Sequence, residues 1–196
     1  MAQAFRRVNA TESILFICDL QEKFRPIIHC FPEIVTITKR ILDAAKILDM
    51  KVVATEQYPK GLGHTVPELP LQDLAVPIVE KTRFSMCVPE VEAHLTPAVK
   101  SVILCGIETH VCILHTALDL LEKGLTVHVV VDAVSSRSTT DRMFALKQLE
   151  QAGAVLTTSE CVILGLVGDS AHPKFREVQK LIMQSAPNTG LLQAHL

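Results

Sequence analysis

The chain has no surplus of charge of either sign. Lysine plus arginine is 19 and aspartate plus glutamate is 21, a net charge of −2. Nucleic-acid binders normally carry a basic excess, so no nucleic-acid partner is expected. No apolar run approaches the ~18 residues of a membrane span. The longest, at 14–18 and 127–131, are strand-sized, and no membrane partner is expected. The six cysteines (Cys18, Cys30, Cys87, Cys105, Cys112, Cys161) form no Cys-x-x-Cys pair. That excludes zinc ribbons and thioredoxin-type redox sites. No G-x-G-x-x-G follows the first apolar run, where Asp19 stands instead, so a dinucleotide cofactor is a weak idea. Internal repeats, low-complexity segments and linkers are also missing.

What is there reads as one globular domain. Apolar residues are 48% of the 196 and charged residues 20%, enough to bury a core. Several cysteines sit in apolar runs, where cysteine behaves as a small hydrophobe, and all six are expected as reduced thiols. The opening MAQAFRRVNA has two arginines and no acid before Glu12. It lacks an apolar signal core and is short for a transit peptide. A cytoplasmic location is expected, with a mitochondrial address as the alternative. Residues 1–12 read as an N-terminal extension and 13–196 as the domain.

Short apolar runs rich in Val, Ile and Leu alternate with longer amphipathic stretches. Strands are predicted at 13–18, 51–55, 76–80, 101–105, 126–131 and 154–157. Most are apolar without alternation, as parallel strands covered on both faces are. Helices are predicted at 33–49, 88–95, 109–123, 138–152, 159–167 and 174–185. Alternating strands and helices make βαβ units, hence an α/β domain with a mostly parallel sheet. The connection at 56–70, EQYPKGLGHTVPELP, is long and proline-rich, which suits a loop over a substrate.

In open parallel sheets ligands bind beyond the carboxyl ends of the strands, where strand order reverses. Strand one ends in Asp19, strand three in Lys81 and strand five in Asp132. Strand four runs into Gly106-Ile107-Glu108-Thr109 and a helix carrying Cys112. Thr109 reads as that helix's N-cap, placing Cys112 at about the third helical position. There the helix dipole stabilises negative charge, and the residue's own N–H is an unpaired first-turn donor. A thiol so placed suits acyl transfer. The alternative for Cys112 is a buried core cysteine; for Asp19 it is a turn residue; for Lys81 it is a solvated side chain. Together they are more telling, because a carboxylate can take a thiol proton and an ammonium can support the pair. His115, three residues beyond Cys112, could share its helix face and serve as the base instead. The histidines show no metal-ligand spacing.

FICDLQEKF around Asp19, EKTRFS around Lys81 and CGIETHVCILHTALDLL around Cys112 have the order and spacing of one family. The chain resembles the isochorismatase-like cysteine hydrolases, which include nicotinamidases, N-carbamoylsarcosine amidase and bacterial isochorismatases. TEQYPKGLG (55–63), VVDAVSSRS (130–138) and DSAHPKF (169–175) are similar to one branch, the animal isochorismatase domain-containing proteins. The resemblance implies a three-layer α/β/α Rossmann-like fold with a six-stranded sheet in the order 3-2-1-4-5-6. It implies a triad of Asp19 as general base, Lys81 as electrostatic support and Cys112 as nucleophile. It also implies a cis peptide between Ile107 and Glu108, with the N–H groups of Glu108 and Cys112 as the oxyanion hole. Members of the family usually self-associate, so a homo-oligomer is expected.

One departure matters. Nicotinamidases follow strand two with an Asp-x-His metal site and a further His. Here the stretch is Glu56-Gln57-Tyr58, with only His64 nearby. One carboxylate and one imidazole make a poor zinc site. Neither a metal nor another cofactor is expected, nor nicotinamidase activity. Bacterial isochorismatases cleave a vinyl ether without needing the cysteine, so the family name does not supply the substrate. The expected function is therefore metal-independent cysteine hydrolysis of a small amide, carbamoyl compound or ester. Phe24, Tyr58 and Phe84 are candidate pocket walls and Gln21 a candidate polar contact to the substrate. The rival reading is a binding or scaffold protein on the same fold with little turnover.

Overall fold

A computed structural model of the protein describes residues 7–191. Six strands are present: β1 (Ser13–Cys18), β2 (Lys51–Gln57), β3 (Ile78–Lys81), β4 (Ser101–Ile107), β5 (Thr126–Ser135) and β6 (Val155–Thr157). All pair in parallel, in the order β3-β2-β1-β4-β5-β6. The helices are α1 (Phe31–Ile47), α2 (Pro59–Leu62), α3 (Pro89–Glu92), α4 (Leu114–Glu122), α5 (Thr139–Gln151), α6 (Ser159–Val167) and α7 (Phe175–Ile182). Each sheet crossover is long enough to carry helix, as parallel pairing requires.

Helices cover both faces of the sheet, and β1 shows why its sequence does not alternate. Leu15 and Ile17 pack into a core with Ile34, Ile37 and Ile41 of α1 and Val162 and Ile163 of α6. Ile14, Phe16 and Cys18 point the other way, into a core with Ile113, Ala117 and Leu120 beneath α4 and Leu149 of α5. Every β1 side chain is buried, so every position is apolar or small. Ahead of β1, Val8 and Ala10 also pack against the first core. Among the described residues no helix is long and apolar enough to cross a membrane.

The sequence expectations shift at several boundaries. β2 and β4 each run two residues further, and β3 begins at Ile78. α2 occupies part of the long connection, and the helix expected at 88–95 shrinks to α3. β5 continues four residues past its expected end because its register with β4 slips between Leu104 and Gly106. Asp132 is therefore not a strand terminus. Its Oδ1 accepts from the Ser159 N–H (2.8 Å) and its Oδ2 from the Ser159 hydroxyl (2.6 Å), anchoring the start of α6.

Gly106 sits where β4 passes β1. Its φ is +118°, and a Cβ there would lie 2.1 Å from the Cys18 carbonyl oxygen. No side chain fits without parting the two central strands. Gly106→Ala should lower stability by ~3 kcal/mol in urea unfolding; a loss under ~0.5 kcal/mol would contradict this close approach.

His128 lies in β5, almost fully buried, and its Nε2 has no hydrogen-bond partner among the described residues. Burial lowers its pKa below 6.5. The unfolded chain therefore takes up the proton first as pH falls. The stability that the neutral ring contributes is complete above pH ~6.5 and is lost as pH drops toward the lower folded value. Unfolding at pH 7.5 and 5.5 should show this loss in the wild type and a smaller one in His128→Leu.

Candidate active site

The strand order places three chain ends side by side. Cys18, the last residue of β1, is in register with Thr55 of β2 and Gly106 of β4, and Gln57 of β2 is in register with Lys81 of β3. Asp19, Thr55, Gln57 and Lys81 thus meet at the carboxyl edge, where strand order reverses. Asp19 takes a left-handed conformation (φ 52°), which aspartate tolerates better than most residues. Its N–H remains bonded to the Thr55 carbonyl (3.1 Å).

The carboxylate of Asp19 is held on both oxygens. Oδ1 accepts from the Thr55 hydroxyl (2.8 Å) and Oδ2 from Lys81 Nζ (2.8 Å). Both ionic side chains are out of solvent. Lys81 shares its protons among Asp19, Gln57 Oε1 (2.7 Å) and the carbonyls of Arg83 (3.2 Å) and Phe84 (3.1 Å). Burial is the largest influence on this lysine and opposes its charge. Its titratable neighbours Cys18, Asp19 and Cys112, of which Asp19 carries the salt-bridging carboxylate, outweigh it and raise the pKa. The ammonium stays charged.

Cys112 reaches the same point from β4. The Ile107–Glu108 peptide is cis, and the chain then makes a π-helical turn (Thr109–Ile113) before α4 begins. π turns of this kind often occur at functional sites. The expected cap at Thr109 does not form. Glu108 precedes the turn, and the buried Thr109 hydroxyl has no partner among the described residues. Cys112 is the fourth residue of a π turn, not the third of an α-helix. The turn is pinned from below, where Thr116 Oγ1 donates to the Cys112 carbonyl (2.6 Å) and accepts from the Met86 N–H (2.8 Å). It is pinned at its rim by His110 Nδ1 against Ser136 Oγ (2.9 Å) and by Glu108, whose Oε2 accepts from the Arg137 N–H (2.9 Å).

The sulfurs of Cys18 and Cys112 and a carboxylate oxygen of Asp19 all lie within 4.8 Å of one another. Asp19, Lys81 and Cys112 are therefore together, as the sequence suggests for a triad. Cys18, Thr55 and Gln57 join them without having been singled out, and Arg137 holds Glu108 beside the turn. Thr55 and Gln57 follow from the strand register, and Cys18 from its place beside Asp19; only the strand order could have brought them to notice.

The other candidates sit differently. Gln21 is fully buried. Its amide donates to the carbonyls of Gln57 (3.0 Å) and Gly63 (2.6 Å), and its Oε1 accepts from the Gln57 N–H (2.8 Å). Its polar groups hold the chain between β2 and Gly63, which leaves little of the side chain for a substrate. Phe24 is partly buried against the first core. Tyr58 is 54% exposed, and its ring lies where a Cβ at Gly61 would fall. Phe84 is 56% exposed and stacks on the exposed His115 with ring centroids 6.2 Å apart. The His115 ring thus faces Phe84 on the surface.

Glu56 and His64, where nicotinamidases place metal ligands, are partners of each other (2.9 Å). Glu56 Oε1 also accepts from the N–H and hydroxyl of Thr65. Its carboxylate is already occupied, and among the described residues no third His, Cys, Asp or Glu brings a ligand atom within 4.8 Å of both, so this pair is a poor fit for a metal ion. A cavity of about 270 Å³ lies beside it, and another of about 670 Å³ lies near Glu12 and Lys100 at the other end of the sheet; neither includes the triad.

The family model described as the isochorismatase domain matches residues 13–161. The chain belongs to the isochorismatase family. It is 58% identical over 188 residues to isochorismatase domain-containing protein 2 of Xenopus laevis, covering 95% of this chain and 91% of that one. The human protein of that name is 55% identical over 188 residues, with 95% and 90% covered. Among solved structures, MAR1 ribonuclease from Caenorhabditis elegans is 62% identical with a TM-score of 0.92, covering 97% of this chain and 100% of that one. YcaC from Escherichia coli, described as an octameric hydrolase of unknown specificity, is 24% identical with a TM-score of 0.79 and covers 90% and 96%. At that identity it shows the shared fold. Family and fold together support a hydrolase-like function.

Whatever its chemistry, the buried Lys81–Asp19 pair is part of the fold. Lys81→Met would leave a buried carboxylate without its cation. It should destabilise the protein by ~3–5 kcal/mol, measured by urea unfolding at pH 7. Lys81→Arg should lose less, and a Lys81→Met protein as stable as wild type would show that the pair is not needed for the fold.

Proposed function

We propose that the protein is a metal-independent cysteine hydrolase of a small amide, carbamoyl compound or ester. The observation that carries this reading is the meeting of the Asp19 carboxylate and the Cys112 thiol at the strand ends, beside a charged and buried Lys81. Asp19 takes the Cys112 proton and the thiolate adds to the substrate carbonyl. The negative charge that develops on oxygen rests on the N–H groups of Glu108 and Cys112. When the intermediate collapses, protonated Asp19 gives its proton to the leaving amine or alcohol. The acyl group remains on Cys112. Water then enters, gives a proton to Asp19 and releases the acid, returning the thiol. Lys81, engaged by four acceptors, holds the carboxylate in place and transfers no proton.

A second reading, RNA cleavage, is favoured by the printed name of the 62% identical MAR1 ribonuclease. Against it stand a net charge of −2 and a site whose lysine is buried and already bonded. Phosphodiester cleavage needs cations aimed at a phosphate, and Lys81 is aimed at Asp19. Self-association is part of the proposal, as is a reducing, cytoplasmic setting, which six free thiols suit.

A panel of small amides, carbamates, esters and a labelled RNA decides among these readings. Hydrolysis of a small carbonyl substrate should fall ~10²–10⁴-fold or more in Asp19→Asn and in Cys112→Ala. The double variant should be no worse than either single one, because the two groups act as one unit. His115→Ala should stay within a few-fold of wild type. Loss with His115→Ala and retention with Asp19→Asn would reassign the base. Cleavage of RNA alone, dependent on Cys112, would establish the second reading, and ligand binding with no turnover would establish a scaffold role.

A further inference from the structure

Cys18 has no part in the hydrolysis proposed above, yet its sulfur and that of Cys112 lie within 4.8 Å of each other and of the Asp19 carboxylate. Both belong to the core beneath α4. Cys18 is fully buried at the end of β1, whereas Cys112 retains 7% exposure at the cleft. An oxidant arriving from solvent meets Cys112 first. Among the described residues no other cysteine joins this cluster: Cys105 and Cys87 are buried in other surroundings, with burial pushing their thiols up to about 12 and about 11.

We infer that Cys112 is a reversible oxidation site, with Cys18 as the thiol that resolves its sulfenic acid into a Cys18–Cys112 disulfide. The chemistry needs only a peroxide as oxidant. Cys112 thiolate attacks hydrogen peroxide, breaking the O–O bond, forming Cys112–S–OH and releasing hydroxide. The Cys18 sulfur then attacks the Cys112 sulfur. The S–O bond breaks, the Cys18 proton leaves with the hydroxyl as water, and the S–S bond forms. Two thiols supply two electrons, and one peroxide becomes two waters. A dithiol reverses the step by exchange and returns both thiols.

The surroundings favour this order of events. Burial is the main cause that holds the Cys18 thiol well above its ordinary pKa, and its hydrogen bond to Cys112 adds to it. Cys18 is thus a protonated neighbour that does not compete for oxidant, and Asp19 is within reach to relay its proton to the departing hydroxyl. The sulfurs must approach to ~2.05 Å to bond; Cys18 is the last residue of β1 and Cys112 lies in the turn after β4, both at the cleft end of the sheet. The disulfide occupies the sulfur that the hydrolysis needs and keeps it from the irreversible sulfinic and sulfonic acids. A redox-active thiol beside a resolving thiol is the arrangement such protection requires.

The test reads thiols and masses and needs no turnover, so its failure and that of the hydrolase reading are separate. The full-length wild type and Cys18→Ala are treated with a modest excess of hydrogen peroxide, blocked with iodoacetamide and mapped without reduction. In the wild type a Cys18–Cys112 linked peptide should accumulate, with two of the six thiols lost and both restored by dithiothreitol. Cys18→Ala should form no such peptide. Its Cys112 should trap dimedone and carry at least about five times more sulfinic and sulfonic acid than the wild type. Cys161→Ser, remote and exposed, should behave as wild type. If Cys18→Ala does not fold, the wild-type map decides alone. Over-oxidised Cys112 without the link, or a link to another cysteine, would overturn the inference, as would equal recovery of Cys112 in Cys18→Ala.

Discussion

A lysine and an aspartate, both withdrawn from water, meet at 2.8 Å where the central strands end. Removing two such ions from solvent costs several kcal/mol each, which is recovered only if every remaining bonding position is filled. Here they are filled. Thr55 bonds to the second carboxylate oxygen, and Gln57 and two backbone carbonyls take the rest of the ammonium. The pair therefore fixes more than two side chains. It holds β3, β2 and the turn after β1 in one arrangement, and it brings the segment around Phe84 over the same point.

The π turn that carries Cys112 is bound to this arrangement through one hydroxyl. Thr116 accepts from Met86, just beyond the Lys81 loop, and donates to the carbonyl of Cys112. A shift at Lys81 is thus felt at the thiol by a path of two hydrogen bonds and a short run of chain. The other side of the cleft is held with similar economy. Gln21 clasps the chain at Gln57 and Gly63, and Glu56 clasps Thr65 and His64. The polar groups of Gln21 and Glu56 are used here to shape a loop.

Membership of the isochorismatase family brings a hydrolase-like expectation but no substrate. The fold and the family name leave the choice of substrate to local chemistry. What this chain offers locally is a buried carboxylate beside a thiol and a buried ammonium. That inventory suits a small carbonyl compound better than a polyanion. The adjacency of a second thiol sets a further constraint, because two sulfurs this close to each other are open to a chemistry that hydrolysis does not use.

Much of this was legible in the order of the residues. Parallel strands covered on both faces must be apolar throughout, which made β1 and the start of β4 readable from composition alone. Asp19, Lys81 and Cys112 each end or follow a strand, and residues with chemistry in those places stand out. Thr55, Gln57 and Cys18 did not stand out, because threonine and glutamine at a strand end, or cysteine inside an apolar run, are ordinary until strand register sets them beside Asp19. Gln21 was legible as polar but not as occupied, since its three partners lie 36 and 42 positions along the chain. Thr109 looked like a cap because the helical pattern starts there; the cis peptide and the π turn moved the start of the helix, and neither leaves a trace in hydrophobic period. The sequence by itself determined the order of the elements, their burial and the three candidate groups at the strand ends, because these depend on side-chain chemistry and local spacing. The tertiary structure alone decided which of those groups touch and which polar side chains are left free, because hydrogen bonds and ion pairs are set by distances across strands that the chain order does not contain.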